Sequence, residues 1–280
     1  MTFKLVFRNT MLYILLIVIC VLTIFPLLWG LGASFRSDDE LFRYILPFSS
    51  KTFIPQEFTI EAYHKLFRDF DFLGPIINTL LVTIITICLG SIINSIAAFS
   101  FAVFDFKFKK IIFAVVMVSF MIPFEAIVMP LYIIVQKFRW VDTYYGLIIP
   151  TIADGLVLFL FTQFFKDIPI SLIEAARVDG ANWFTVYIRI IVPPSVTVFI
   201  TAGLMTFMGV WNSYFWPLVV ARSRNFRMIQ TALAATKAEH ETLWSVLYAG
   251  SLIAALIPLF LFLPFQKYFV QGYVGSGIKG

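Results

Sequence analysis

The chain has 280 residues, of which 60% are hydrophobic and 13% charged, with a mean hydropathy of +0.92 and a net charge of +5. Soluble domains carry about 25% charged residues, and thirty-three Phe with six Trp would coat such a domain in apolar patches. A soluble fold is excluded, and the modest basic excess, lodged in loops beside apolar runs, argues against nucleic acid as a partner.

Lys4 and Arg8 precede an apolar run over residues 11–29, followed by Gly30, Gly32, Ala33 and Ser34. A cleaved secretory signal shares this order, but the run is longer than a usual signal core and long enough to cross a bilayer. An uncleaved first helix over 11–33 is expected. Residues 34–74 form a polar stretch with Pro47 and Pro55. Its aromatic–charged alternation over 66–72 suits a loop on the membrane surface, either a plain connector or a docking surface for an external partner. Five further apolar segments follow, at 75–104, 111–136, 147–165, 194–220 and 244–266. Each must be helical, since lipid offers no partner for a backbone N–H, and none alternates with the period of a barrel strand.

The second segment carries Asn78, Thr79, Thr83, Thr86, Ser91, Asn94 and Ser95. Ser91 and Ser95 are a small-xxx-small pair that admits close helix approach, so this helix is expected inside a bundle. Cys20 and Cys88 lie within apolar runs and read as packed thiols. His64 and His240 sit in loops without metal-ligand spacing. Lys and Arg number ten in the loops 105–110 and 166–193 with the two termini, against eleven in the other loops. That is close to a tie; the cluster Lys107, Lys109 and Lys110 favours the first set as cytoplasmic. In the tail, Gly272, Gly277 and Lys279 imitate a phosphate-binding loop, but the pattern needs Lys at 278, where Ile278 stands.

Between the fourth and fifth segments, Pro169 ends the preceding helix. Ser171 and Glu174 match a capping box, 172–178 continues as helix, and Asp179-Gly180 closes it with glycine in the left-handed region. A second helical stretch over 183–191 leads to Pro193-Pro194, so the product is a short helix set crosswise at the membrane face. Ala175 and Ala176 would let that helix sink into a partner's groove, with Arg177 and Asp179 either rim charges to the partner or merely solvated.

Glu174, Ala175, Ala176, Gly180, Ile190 and Pro193, with Val192 where Leu is usual, resemble the EAA signature of the membrane subunits of binding-protein-dependent ABC importers. From about Asn78 onward the chain resembles the sugar-importer branch, the second membrane subunit of the maltose type. The strings are Met121-Ile122-Pro123, Pro130-Leu131-Tyr132, Gln163-Phe164-Phe165, Ala175 through Ala181, Trp211-Asn212, Trp216-Pro217-Leu218 and the tail after Gln266. The first 74 residues match only in layout.

The resemblance implies an all-α polytopic membrane protein with six transmembrane helices and a cytoplasmic coupling-helix loop. Residues 1–74 would hold the first helix and a long extracytoplasmic loop, 75–268 the permease core with the signature loop at 166–193, and 269–280 a cytoplasmic tail. It implies a bacterial-type inner membrane with both termini cytoplasmic. Partners would be a second permease subunit in a heterodimer, two ATP-binding cassette ATPases and an extracytoplasmic solute-binding protein; no cofactor and no catalysis are expected in this chain. ATPase coupling falls to Glu174, Ala175, Ala176, Arg177, Asp179 and Gly180.

Solute contacts are sought among polar groups inside the spans. An unpaired charge at mid-bilayer costs at least ~2.5 kcal/mol, so Glu125 and Asp154 should face a bundle interior or a watery path, unless they only lock helices. Trp211, Tyr214 and Trp216 can stack on pyranose rings or belong to an interfacial belt. Asn212 between them is the preferred sugar contact, with Asn78 a further pathway residue. The rivals are a permease for amino acids, peptides or polyamines, an ion-coupled carrier using Glu125 and Asp154 as a relay, and a membrane enzyme.

Overall fold

The structure, a computed structural model, describes residues 2–44, 49–52, 54–237 and 242–275. Pro47, His240, Gly277, Ile278 and Lys279 lie outside the described residues. In chain order the helices are α1 (Thr2–Ser34), α2 (Asp38–Arg43), α3 (Glu61–Arg68), α4 (Leu73–Val103) and α5 (Lys109–Phe120). Then come α6 (Phe124–Lys137), α7 (Tyr144–Ile148), α8 (Gly155–Lys166), α9 (Ile170–Val178) and α10 (Trp183–Val186). The last are α11 (Val196–Trp211), α12 (Phe215–Val220), α13 (Ile229–Ala235) and α14 (Trp244–Gly275). Among the described residues the only β-bridge is an isolated one between Lys237 and Thr242, in keeping with the all-α expectation.

Four stretches are single helices long and apolar enough to span a bilayer: Val6–Ser34, Leu73–Val103, Pro193–Trp211 and Trp244–Gln266. Two more spans exist only as bent pairs. Lys109–Phe120 meets Phe124–Lys137 at 98°, and Tyr144–Thr151 meets Gly155–Lys166 at 43°. The spans expected at 111–136 and 147–165 are therefore broken ones. Pro123 causes the first break: it takes an extended ψ of 136° and caps α6, as a residue without an N–H must where a new helix begins. Asp154 causes the second, with ψ 121° and a side chain that accepts from Leu156 N and Val157 N. The fifth span also ends sooner than expected, at Trp211, and α12 begins after an interruption at 212–214.

The chain divides into two compact units, residues 1–73 with 232–257, and 74–231 with 258–280. In the first, the segment after α1 is structured by Arg36. Its guanidinium is buried and donates to Thr52 O at 2.8 Å and Lys51 O at 3.4 Å, with Glu40 at 3.8 Å. Burial lowers the Arg36 pKa, and Glu40 pulls it the other way. The Glu40 carboxylate accepts from the amides of Gln56 and Glu57, and Asp38 accepts from Ser245 N at 2.7 Å. Leu66 and Phe72 are fully buried, while Phe67, Arg68, Asp69 and Asp71 between them are exposed, so the 66–72 stretch is anchored at both ends with an exposed surface between. His64 is exposed on α3.

In the second unit α4 is the axis. Asn78, Thr79, Thr83, Thr86, Asn94 and Ser95 are buried, while Ile77, Ile84, Leu89, Ile92, Ile93 and Ile96 are exposed. This polarity is inverted relative to a soluble helix, because here the solvent is hydrocarbon and polar groups must find partners within the bundle. The same logic leaves Cys20 and Cys88 as free thiols on outer faces. Helix α8 packs on α5 and α11, around buried Ala98, Phe99, Phe161, Phe165 and Val198.

The two broken spans meet at their breaks. A Cβ on Gly155 would run into the ring of Phe120, the last residue of α5. Gly155→Ala should therefore displace that ring and cost about 1–3 kcal/mol, as overpacking does. The check is the thermal denaturation midpoint of the detergent-solubilised protein; an unchanged midpoint would refute the packing assigned to the breaks.

Candidate functional site

The 170–191 element is built from its own sequence. Helix α9 starts at Ile170 behind Pro169, without a side-chain cap. The expected capping box is absent: Ser171 lies inside the first turn and Glu174 stands exposed, because Pro169 brings the helix start forward by enough to pass Ser171. The C-terminus closes as expected. Gly180 has φ +86°, Gly180 N donates to Arg177 O at 3.1 Å and Ala181 N to Ala176 O at 3.0 Å, the two bonds of a Schellman closure. Asn182 then caps α10, accepting from Thr185 N at 2.8 Å.

Arg177 is not a free rim charge. Its guanidinium lies 4.5 Å over the Trp183 ring and donates to Ala181 O, which ties α9 to α10 across the turn. Asp179 is the C-cap residue and is exposed. The alanines divide: Ala176 packs on the apolar cluster beneath, and Ala175 faces outward.

One face of the element is sunk in the core through Ile173, Val186, Tyr187 and Ile191. Trp183 adds an edge contact to Phe104 at 4.7 Å, and Tyr187 a ring contact to Phe99 at 5.5 Å. The other face carries unburied apolar side chains, with Val178 at 87% and Phe184 at 74% exposure, joined by Leu172 and Ile188. Sequence reasoning passed over Val178 and Phe184. The available signal was large apolar residues flanking a turn that should have been polar.

The solute-pathway candidates scatter. Asp154 lines a cavity of about 140 Å³ together with Thr151, Thr206, Ser213, Met205 and Trp216. Both amide bonds it accepts run to Oδ1, so the carboxylate caps α8 with one oxygen only. Trp216 is buried and donates from Nε1 to Gly146 O at 3.0 Å, and Trp211 is fully buried; neither is exposed as a belt residue, the one packing on Phe124 and the other stacking on Phe207. Tyr214 is exposed, and so is Asn212, whose amide donates to Met208 O of its own helix. Asn212 is thus not held between aromatics.

Glu125 is exposed in the first turn of α6, where a carboxylate is favoured by the helix dipole; it does not face the interior of this chain. No hydrogen bond joins it to Asp154 among the described residues. Asn78 is spent on structure. Its Nδ2 donates to Asn225 O and Arg227 O, and its Oδ1 accepts from Tyr144 OH at 2.7 Å. Neighbouring Thr79 accepts from Ile229 N at 2.9 Å, and together they pin the 225–229 segment.

Because nothing lies within 4 Å of a Cβ on Gly180, a substitution there is penalised through the backbone alone. Gly180→Ala should cost about 1–2 kcal/mol and Gly180→Asn less, since Asn visits the left-handed region more readily. Limited proteolysis of the turn reads this order; equal cleavage in all three proteins would refute the left-handed closure.

Residues 87–274 match the family model described as binding-protein-dependent transport system inner membrane component. The arabinooligosaccharides transport system permease protein AraQ of Halalkalibacterium halodurans is 30% identical over 266 residues, covering 94% of this chain and 93% of that protein. The lactose transport system permease protein LacG of Rhizobium radiobacter is 26% identical, with 91% of each chain covered. The fold matches a chain in the crystal structure of a bacterial ABC transporter involved in the import of the acidic polysaccharide alginate, with a TM-score of 0.82 at 20% identity, covering 94% of this chain and 96% of that one. The chain belongs to the family of inner-membrane components of binding-protein-dependent transport systems, and is a transmembrane permease subunit of an ABC importer.

Proposed function

We propose that this permease imports a neutral sugar or oligosaccharide, forming half of the translocation pathway beside a second permease subunit. Two ATP-binding cassette subunits drive it and an extracytoplasmic binding protein delivers the solute. The 170–191 element lies on the cytoplasmic side, as do both termini. The observation that carries this reading is the two-faced build of that element: an inner face buried in the helix core and an outer face of unburied Val178 and Phe184. Apolar side chains so exposed on a turn closed by a Schellman motif have the form of anchors for a partner's groove, the helix-in-groove mode of recognition. Glu174, Ala175, Asp179 and Gly180 share the outer surface.

The substrate class is supported by the relatives named for arabinooligosaccharide and lactose transport and by the cavity. Thr151, Thr206 and Ser213 supply hydroxyls to its lining, while Trp216 is buried with its indole N–H engaged and its ring packed on Phe124. Asp154 is the one charged residue in the lining, and a carboxylate without a neighbouring cation opposes an anionic solute. Closure of the ATPases on ATP draws the element, and the helices anchored to it rock as a body, exposing the pathway to the other side.

The test is Gly180→Trp and Phe184→Asp in the assembled transporter. Both variants should insert into the membrane normally, lose co-purification of the ATPase, and reduce ATP-driven uptake of arabinooligosaccharide into vesicles by at least tenfold. Normal co-purification and uptake in both would sink the docking role.

A further inference from the structure

Tyr187 is the point where the 170–191 element enters the core, and its hydroxyl has a specific partner. Tyr187 OH lies 2.6 Å from Ser95 Oγ, and Ser95 Oγ donates to the carbonyl of Ser91. A serine hydroxyl has one proton, so the tyrosine is the donor. Both side chains are buried, Tyr187 in the cluster of Ala98, Phe99, Phe161 and Val198.

The next residue of α4, Asn94, points to a different neighbour, as successive helical residues must at 3.6 per turn. Its Nδ2 donates to Ile152 O at 2.8 Å, and its Oδ1 accepts from Asp154 N at 3.1 Å. Those two backbone groups are the ones freed by the break before α8. Residues 151 and 154 border the cavity. One short stretch of α4 therefore bonds the 170–191 element on one side and the cavity wall on the other.

A second feature falls on the same tyrosine. Residues Tyr187–Ile191 form a π-helical turn, with Val192 N donating to Tyr187 O at 3.0 Å. Such turns are rare and cluster at functional sites. This one leads through Pro193–Ser195 into α11, which supplies Met205 and Thr206 to the lining of the same cavity.

We infer that Tyr187 is a positioning residue for transport: through Ser95 and Asn94 its hydroxyl transmits movement of the coupling element to the 152–154 break beside the cavity. The inference rests on the reading of 170–191 as that coupling element. A chain of packed groups carries such coupling only if its members shift between two arrangements together, so the test must read the cavity in two nucleotide states.

The full transporter, with Cys20→Ser and Cys88→Ser in this chain and Ser213→Cys as a reporter in the cavity, is reconstituted in lipid vesicles. Modification of the reporter by a membrane-impermeant methanethiosulfonate is timed without nucleotide and after trapping with ATP and vanadate. The rate should change at least fivefold on trapping in the parent. In Tyr187→Phe, and independently in Ser95→Ala, the change should shrink to under twofold, counted per trapped nucleotide so that loss of assembly does not register. The ring survives in Tyr187→Phe, so a packing role alone leaves the change at parental size. A parental change in either variant, or a parent whose rate ignores trapping, overturns the inference. If the underlying reading is what fails, Gly180→Trp keeps its ATPase; if only this inference fails, Gly180→Trp loses the ATPase while Tyr187→Phe behaves as the parent.

Discussion

Asn94 holds together the place where the fourth span breaks. A helix interrupted inside hydrocarbon orphans its backbone groups, and each one left unpaired costs several kcal/mol. The Asn94 amide supplies both a donor for Ile152 O and an acceptor for Asp154 N, while the Asp154 carboxylate takes the first amides of α8. With those groups satisfied, the break becomes stable enough to place a carboxylate on a cavity wall, and Gly155 opens room for the Phe120 ring at the neighbouring break. Two discontinuities that would each be liabilities are thereby packed against one another.

The 170–191 element obeys the opposite demand, since it must be stiff yet incompletely buried. Stiffness comes from short-range closure: the Schellman bonds at Gly180, the Arg177 clamp over Trp183 and the Asn182 cap. Anchorage comes from aromatic contacts of Trp183 and Tyr187 with Phe104 and Phe99. Because the inner face is committed to the core, the proposed coupling role would pass load applied at Val178 or Phe184 into α4 and α11 instead of bending the turn.

Most polar groups along α4 turn out to serve the protein itself. Asn78 and Thr79 pin the 225–229 segment, and Asn94 holds the break. The cavity is lined by a few hydroxyls and by one carboxylate that caps α8 through a single oxygen. Under the proposed import of a neutral sugar, such a lining offers modest hydrogen bonding and no cationic countercharge.

The helical class, the approximate places of the spans and the signature loop were legible in the sequence, because lipid forces continuous apolar helices and because Gly180 is readable as a left-handed stop. The inverted polarity of α4 was legible too, from Asn and Thr at helical spacing. The sequence also misled in definite ways. Pro123 and Asp154 were read inside spans when they start new helices, since a run of apolar residues looks the same whether it is one helix or two at 98°. Ser171 and Glu174 matched a capping box that the helix start at Ile170 overrode. Of the pathway candidates, Asn212 bonds its own helix, Asn78 bonds a distant loop, and Glu125 is exposed on this chain, surroundings that their residue types alone do not reveal. What the sequence determined by itself was therefore everything set by local pattern and by the solvent, namely helices, turn and membrane. Which polar groups are spent on structure, and that Tyr187 meets Ser95 across 92 residues, only the tertiary structure decided, because hydrogen-bond partners far apart in the chain leave no periodic trace in it.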